Sequence, residues 1–138
     1  MAKFRLEIIT PERRFYDGEV DSLVIETGDE GGKLGILAGH MPMVAALAIG
    51  SIRFKADGEW KTCFCSEGFV EVRPDETFIN AQAMEWPEEI DARRAEEAQQ
   101  RAEEELRQEQ SLREYHESRA SLARAMARLR VKRSINHD

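Results

Sequence analysis

The chain has 138 residues, 34% of them charged, and a formal net charge of −7. That length suits one ordinary domain, or one compact domain plus an appendage, and the acidic balance argues against a general nucleic-acid binder. No apolar run approaches the roughly 20 residues needed to cross a bilayer, and Met1-Ala2-Lys3-Phe4 leads into an alternating strand rather than a signal peptide, so the expectation is a protein that stays in the cytosol.

Phe4, Leu6 and Ile8 alternate with Lys3, Arg5 and Glu7, the pattern of a half-buried strand that stops at Thr10-Pro11. Phe15-Tyr16 followed by Asp17-Gly18 predicts a short strand and then a turn. From Val20 to Thr27, a run containing Leu23, Val24 and Ile25 reads as a strand buried on both faces. Gly28, Asp29, Glu30, Gly31 and Gly32 make a loop too glycine-rich to pack and too acidic to bury, hence an exposed tip. The segment from Lys33 to Pro42 is apolar but broken by Gly35 and Gly39, which permit close backbone approach or positive φ, and it is stopped by Pro42. His40 sits there without an acid, cysteine or serine of matching context nearby, so on its residues alone it reads as a structural histidine.

Val44 to Leu47 and Ser51 to Lys55 supply further strands, and Asp57-Gly58 turns the second into a returning strand on which Trp60, Thr62 and Phe64 alternate. Glu67-Gly68 leads into Phe69 to Val72, and Pro74-Asp75-Glu76 into Thr77 to Met84. Many short strands at even spacing, with no helix between them, predict a β-sandwich or flattened barrel ending near Met84. Cys63 and Cys65, the only cysteines, lie on the same side of one strand. At that spacing they match neither a redox C-x-x-C nor a metal pair, and they read as reduced and structural.

Between Glu85 and Ala95 the hydrophobic period changes from about two to about 3.6, and beyond it there is neither glycine nor proline. One helix is expected from Pro87 or Glu88 to Arg107 and a second from Ser111 to Val131, separated by Gln108-Glu109-Gln110. Ala92, Ala95, Ala98, Ala102 and Leu106 form a stripe on the first, Leu112, Tyr115, Leu122, Met126 and Leu129 on the second. The stripes suit an antiparallel hairpin. An alanine seam holds less than a leucine seam, at about 0.8 kcal/mol per buried CH₂, so the hairpin is read either as an arm able to open or as a permanent layer on the sandwich. From Arg119 to Arg133 the second helix has six basic residues and no acid; such an end either complements the helix dipole or meets an acidic partner. No phosphate-cradling G-x-x-x-x-G-K-[ST] occurs, and His40, His116 and His137 make no metal pattern. The residues themselves describe a non-catalytic binding module of the α+β class, strands first and helices after.

Four segments, in order, carry a resemblance. They are Thr10-Pro11-Glu12-Arg13, the run Leu34-Gly35-Ile36-Leu37-Ala38-Gly39-His40-Met41-Pro42, the run Glu67-Gly68-Phe69-Val70-Glu71-Val72, and Arg124-Ala125-Met126-Ala127-Arg128-Leu129. With the two helices that follow the strands, they make the chain resemble the ε subunits of bacterial F-type ATP synthases over nearly its whole length. The resemblance implies a ten-stranded β-sandwich over residues 1–84 and a two-helix antiparallel hairpin over 85–138. It implies a rotor part with no active site, which couples proton flow to ATP synthesis and restrains ATP hydrolysis through movable helices. The implied partners are the γ subunit, the c-ring and the catalytic α/β subunits, with peripheral attachment at the cytoplasmic face of the bacterial membrane through the complex only. His40 is then expected toward γ and the tip near Lys33 toward the ring, with Asp29 and Glu30 as its acids.

The same resemblance gives the joint a ligand. Ile90-Asp91-Ala92-Arg93-Arg94-Ala95 matches the family's ATP-binding [IL]-D-x-x-R-A, which implies roles for Ile90, Asp91, Arg94 and Ala95. Glu85, Arg101, Arg124 and Arg128 fall where ATP-binding relatives carry functional residues. A further helix arginine of those relatives has no match in phase, since Arg119 is displaced and Glu117 lies nearer the place. No cofactor is required; ATP enters as a regulatory ligand, held by guanidinium–phosphate pairs from two helices. A free-standing sandwich adaptor with a coiled-coil arm is the alternative of another class.

Overall fold

In the computed structural model, which describes residues 2–27, 32–108 and 110–134, the alternating segments form ten strands. They are β1 (Phe4–Ile9), β2 (Arg14–Val20), β3 (Ser22–Glu26), β4 (Lys33–Ile36), β5 (Met43–Leu47), β6 (Gly50–Ala56), β7 (Glu59–Cys65), β8 (Gly68–Val72), β9 (Glu76–Ala81) and β10 (Met84–Glu85). A 3-10 turn (Pro87–Glu89) leads to α1 (Ala92–Arg107) and α2 (Leu112–Ser134). The strands make two five-stranded sheets, ordered β2-β1-β9-β8-β5 and β10-β7-β6-β3-β4. β1 and β9 run parallel. The other neighbours described are antiparallel.

Inward-facing residues of both sheets meet in one core. Leu6, Ile8, Leu23, Ile25, Ile52, Phe54, Val70 and Ile79 have no solvent exposure, and each such side chain contributes about 1.5–3 kcal/mol on burial. The alternation that predicted β1 is thus met. β2 runs on through Asp17-Gly18, where the sequence predicted a turn. Asp17 lies opposite Glu7 in the ladder and accepts from Arg5 Nε at 3.0 Å, so a charge bridge holds the strands side by side. β3 alternates as well: Leu23 and Ile25 are buried and Val24 is only partly so. Of the two helices it is α2 that covers the outer face, over β6 and β7, with α1 packed on α2. The expected tip falls largely outside the described residues.

β6 and β7 are joined through Asp57 (φ 51°) and Gly58 (φ 79°), two successive left-handed residues that suit the twist of a two-residue hairpin. On β7, Cys63 and Cys65 point into the core as free thiols. Burial pushes the Cys65 thiol up to about 12 and raises Cys63 well above its usual value, which keeps both protonated and unreactive. Phe64, between them, points outward and is nonetheless fully buried, because α2 lies over it.

The first helix begins at Ala92 rather than at Pro87 or Glu88. Ile90 is extended (φ −81°, ψ 123°), and Asp91 caps α1 by accepting from the Arg94 backbone N–H at 3.1 Å. Its predicted stripe faces α2, with Ala95 and Ala102 buried. On α2 the stripe is only partly met. Leu112, Tyr115 and Met126 are exposed, Leu129 is buried as expected and Leu122 partly so, and Ser118 and Ala125 are buried beside them. Ser118 Oγ donates to Glu105 Oε2 across the seam at 3.0 Å. The departure follows from a second demand on α2, whose Ala127 and Val131 pack on Phe64 and Ile90.

Gly68 opens β8 against Ala81 of β9, and a Cβ there would fall on the Asn80 carbonyl oxygen and within 2.7 Å of Ala81 Cα. Because the obstacle is backbone, Gly68→Ala is expected to lower stability by about 1–3 kcal/mol. A reduced midpoint in urea unfolding, with unchanged slope, is the expected result; a midpoint equal to the parent's would show that the two strands move apart freely.

Candidate functional site

The joint between sheet and helix is built from the outer edge of β10 and the start of α1. Trp86 stacks on Phe15 with ring centroids 4.3 Å apart and its backbone N–H donates to Glu89 Oε1 at 2.8 Å. Arg13, in the β1–β2 connection, donates to the same Oε1 at 2.8 Å and to the Met84 carbonyl at 3.2 Å. Ile90 is buried with Phe64, Ala127 and Val131. The chain is therefore anchored as far as Ile90, and the cap at Asp91 starts the helix.

α2 reaches this edge with a basic stripe. Residues four apart lie on one helix face, and Arg124, Arg128 and Lys132 are so spaced. Arg128 grips Glu85 in a two-pronged pair at 3.0 and 2.9 Å and lies 4.5 Å from the Phe64 ring centre. Arg124 Nη1 donates to Glu67 at 3.3 Å, and Lys132 Nζ to the Pro87 carbonyl at 3.0 Å. Three of the six cations of the basic run read in the sequence are thus engaged by acids and a carbonyl of this same chain.

Of the residues expected around ATP, the structure brings Glu85 and Arg128 together beside a cavity of about 640 Å³ that Arg13 and Glu89 also line. Arg124 stands one turn earlier on the same face of α2, held by Glu67. Asp91 is occupied as the helix cap, with Arg94 as donor through its backbone, and Ala95 is buried in the seam. The side chains of Arg94 and Arg101 are exposed on α1 and do not line that cavity. Arg93 instead pairs with Glu97 at 3.3 Å. Arg13, Glu67 and Glu89 are the site residues that sequence reasoning missed. Only the motif segments Thr10-Pro11-Glu12-Arg13 and Glu67-Gly68 pointed toward two of them.

The expected partner residues lie elsewhere. His40 closes a β-turn by donating its N–H to the Leu37 carbonyl at 3.1 Å, with Gly39 at φ 82°, and its Nδ1 is 2.8 Å from the Met41 carbonyl. Around it, Leu37 (60% exposed), Met41 (75%), Val44 (72%) and Phe69 (51%) form an outward apolar surface on β5, β8 and the loop before them. Lys33 starts β4 opposite Glu26, at the other end of that segment. Asp29 and Glu30 lie outside the described residues.

Arg13 holds the Glu89 carboxyl below its usual value, first through the hydrogen bond. A carboxyl lowered in the folded state contributes stability above its unfolded value and loses it as pH falls through the folded one. Stability is therefore expected to decline below about pH 4.5, and Arg13→Gln to flatten that decline. Urea unfolding across a pH series, parent against variant, measures both; parallel curves would remove the Arg13–Glu89 pair from the account.

Residues 3–87 match the family model for the ATP synthase, Delta/Epsilon chain, beta-sandwich domain, and residues 88–133 that for its long alpha-helix domain. The ATP synthase epsilon chain of Caldanaerobacter subterraneus subsp. tengcongensis is 46% identical over 93% of this chain and 92% of its own. That of Symbiobacterium thermophilum is 43% identical over 100% of this chain and 99% of its own. Among solved structures, a chain of the Euglena gracilis mitochondrial ATP synthase OSCP/F1/c-ring assembly superposes with a TM-score of 0.81 at 22% identity, covering 99% of this chain and 83% of that one. A ten-stranded sandwich carrying two docked helices, matched in order by both models and at such identity end to end, establishes that the chain belongs to the ATP synthase delta/epsilon family.

Proposed function

We propose that this chain is the central-stalk rotor subunit of an F-type proton-transporting ATP synthase. One observation carries the reading, the 46% identity over 93% of the chain to an ATP synthase epsilon chain. As such a subunit it belongs to a membrane-associated complex. Among the described residues no helix is long and apolar enough to cross a membrane; in this reading attachment is peripheral, at the cytoplasmic face, through the partners. The chain has no active site of its own in this reading; it transmits rotation while catalysis is carried out on the α/β subunits.

Residues 1–84 act as the coupling unit and 85–138 as the regulatory arm. The exposed surface of Leu37, Met41, Val44 and Phe69 around His40 supports a contact with γ, since apolar side chains so clustered gain by leaving water. Asp29, Glu30 and Lys33 are assigned to the c-ring. The arm opposes ATP hydrolysis when it leaves the sandwich and turns its basic stripe to the catalytic subunits. Its contact with the sandwich amounts to one small apolar cluster plus partly exposed ion pairs worth about 0.2–1 kcal/mol each, which supports such release. In a preparation with the other subunits, a chain ending at residue 84 is expected to co-purify with γ and to raise ATP hydrolysis. Loss of γ binding by both forms would favour the free-standing adaptor, and full binding with unchanged hydrolysis would remove the inhibitory arm.

ATP is the proposed regulator of that arm. Arg124 and Arg128 already face the carboxylates of Glu67 and Glu85, so phosphate would replace carboxylate on the same guanidiniums. Arg94 and Arg101 would close from α1, near Ile90, Asp91 and Ala95. A ligand at 100 times its Kd stabilises its competent state by about 2.7 kcal/mol, enough to hold so small a contact closed. Amide NMR of the isolated protein with added ATP is expected to show saturating shifts at Glu85, Arg124 and Arg128, weakened at least tenfold by Arg128→Gln. An unchanged spectrum at millimolar ATP would dispose of this regulation.

A further inference from the structure

α2 covers only part of the outer face of the second sheet. The remainder of that face, the 3-10 turn and the last turns of α2 bound an open groove of about 800 Å³. Sites for small molecules are commonly about 300–1,000 Å³. Lys33, Arg53, Lys61 and Arg130 line it, against the carboxylates of Glu26 and Glu88. Among the described residues, four cations against two anions make a locally positive hollow on a chain of net charge −7. Glu26 is also partly engaged, its Oε2 accepting the Ser51 backbone N–H at 2.6 Å.

Several surface arginines are matched by acids, as with Arg5 and Asp17, Arg73 and Glu71, or Arg128 and Glu85, whereas the exposed Arg94, Arg101, Arg119 and Arg133 stand apart on the helices rather than around this hollow. Among the described residues, no ion pair includes Arg53, Lys61 or Arg130. Arg53 lies instead over the Trp60 ring, 4.9 Å from its centre, which holds the guanidinium in place before any ligand arrives. The three cations come from β6, β7 and α2, around one hollow rather than along an edge.

We propose that this groove binds a condensed phosphate, a run of two or three linked phosphate groups. A planar guanidinium takes two oxygens of one group and the lysine ammonium adds a point charge, while Arg130 ties the ligand to α2. Such a ligand bridges the sandwich and the end of the arm, away from the Glu85–Arg128 pair. Its source is either a free polyphosphate or the phosphate tail of a nucleotide.

The chain's two tryptophans, Trp60 and Trp86, both line the groove, so their indole N–H signals report on it directly. Sodium tripolyphosphate, titrated at constant ionic strength, is expected to shift those signals and the Arg53 and Lys61 amides in a saturating way. The triple variant Arg53→Gln, Lys61→Gln, Arg130→Gln should weaken this at least tenfold with the rest of its spectrum unchanged. Arg93→Gln, Arg107→Gln, Arg113→Gln, which removes equal charge from exposed helix positions, should leave it intact. Absent or non-saturating shifts, equal affinity in the groove variant, or equal loss in the control variant would overturn the site. Saturation by an oligoglutamate peptide but not by tripolyphosphate would overturn the phosphate in favour of an acidic peptide. ATP identifies the source: shifts at the groove indoles with matching affinity assign a nucleotide tail, and shifts confined to the surroundings of Arg128 assign the free polyphosphate, the groove binding standing in both cases.

Discussion

The arrangement of the helices depends on how α2 meets the edge of the sandwich. Arg124, Arg128 and Lys132, one turn apart, reach Glu67, Glu85 and the Pro87 carbonyl, and beside them Ala127 and Val131 close over Phe64 and Ile90. Charge fixes the register of the helix on the sheet, and the small apolar cluster supplies contact area. α1 follows from this, because its buried alanines face α2. A helix committed on two sides has few large residues left to bury, which is why Leu112, Tyr115 and Met126 stay in water.

That economy has a consequence for behaviour. The helices are rich in Ala, Glu, Arg and Gln and hold their own conformation well. What joins them to each other and to the sandwich is mostly alanine, a serine–glutamate hydrogen bond, the small cluster of Phe64, Ile90, Ala127 and Val131, the Lys132–Pro87 hydrogen bond and partly exposed ion pairs. The sandwich core, by contrast, is filled with large side chains sealed from solvent. The helices therefore meet the sandwich through a far smaller contact than the one that fills its core, with Arg124 and Arg128 as the ion-paired residues within it.

The faces of the sandwich are used differently. The second sheet gives part of its outer face to α2 and leaves the rest as a basic groove. The first sheet leaves Val44 and Phe69 in water beside the loop of Leu37 and Met41. A chain with so full a core gains nothing internally from these exposed apolar residues, which form the surface the proposed γ contact draws on. The joint separates these roles, with Arg13, Trp86 and Glu89 holding it rigid up to the cap at Asp91.

The sequence by itself determined the strand-then-helix order, the core face of β1, the Asp57-Gly58 hairpin, the placing of both cysteines on one side of β7 and the seam face of α1. Each of these rests on local periodicity or on a turn whose backbone demands particular residues. Through its motifs it also pointed to Glu85 and Arg128. Only the tertiary structure decided that Asp17-Gly18 stays in a strand, because the bridge to Arg5 comes from a neighbouring strand. It decided likewise that α1 starts at Ala92, and that on α2 Ser118 and Ala125 are buried while Leu112, Tyr115 and Met126 of the expected stripe are not. The pairing of Arg13 with Glu89 and of Arg124 with Glu67 was equally hidden. Those partners are 76 and 57 residues apart, and no periodicity reaches so far: which charge meets which is settled only when two layers pack.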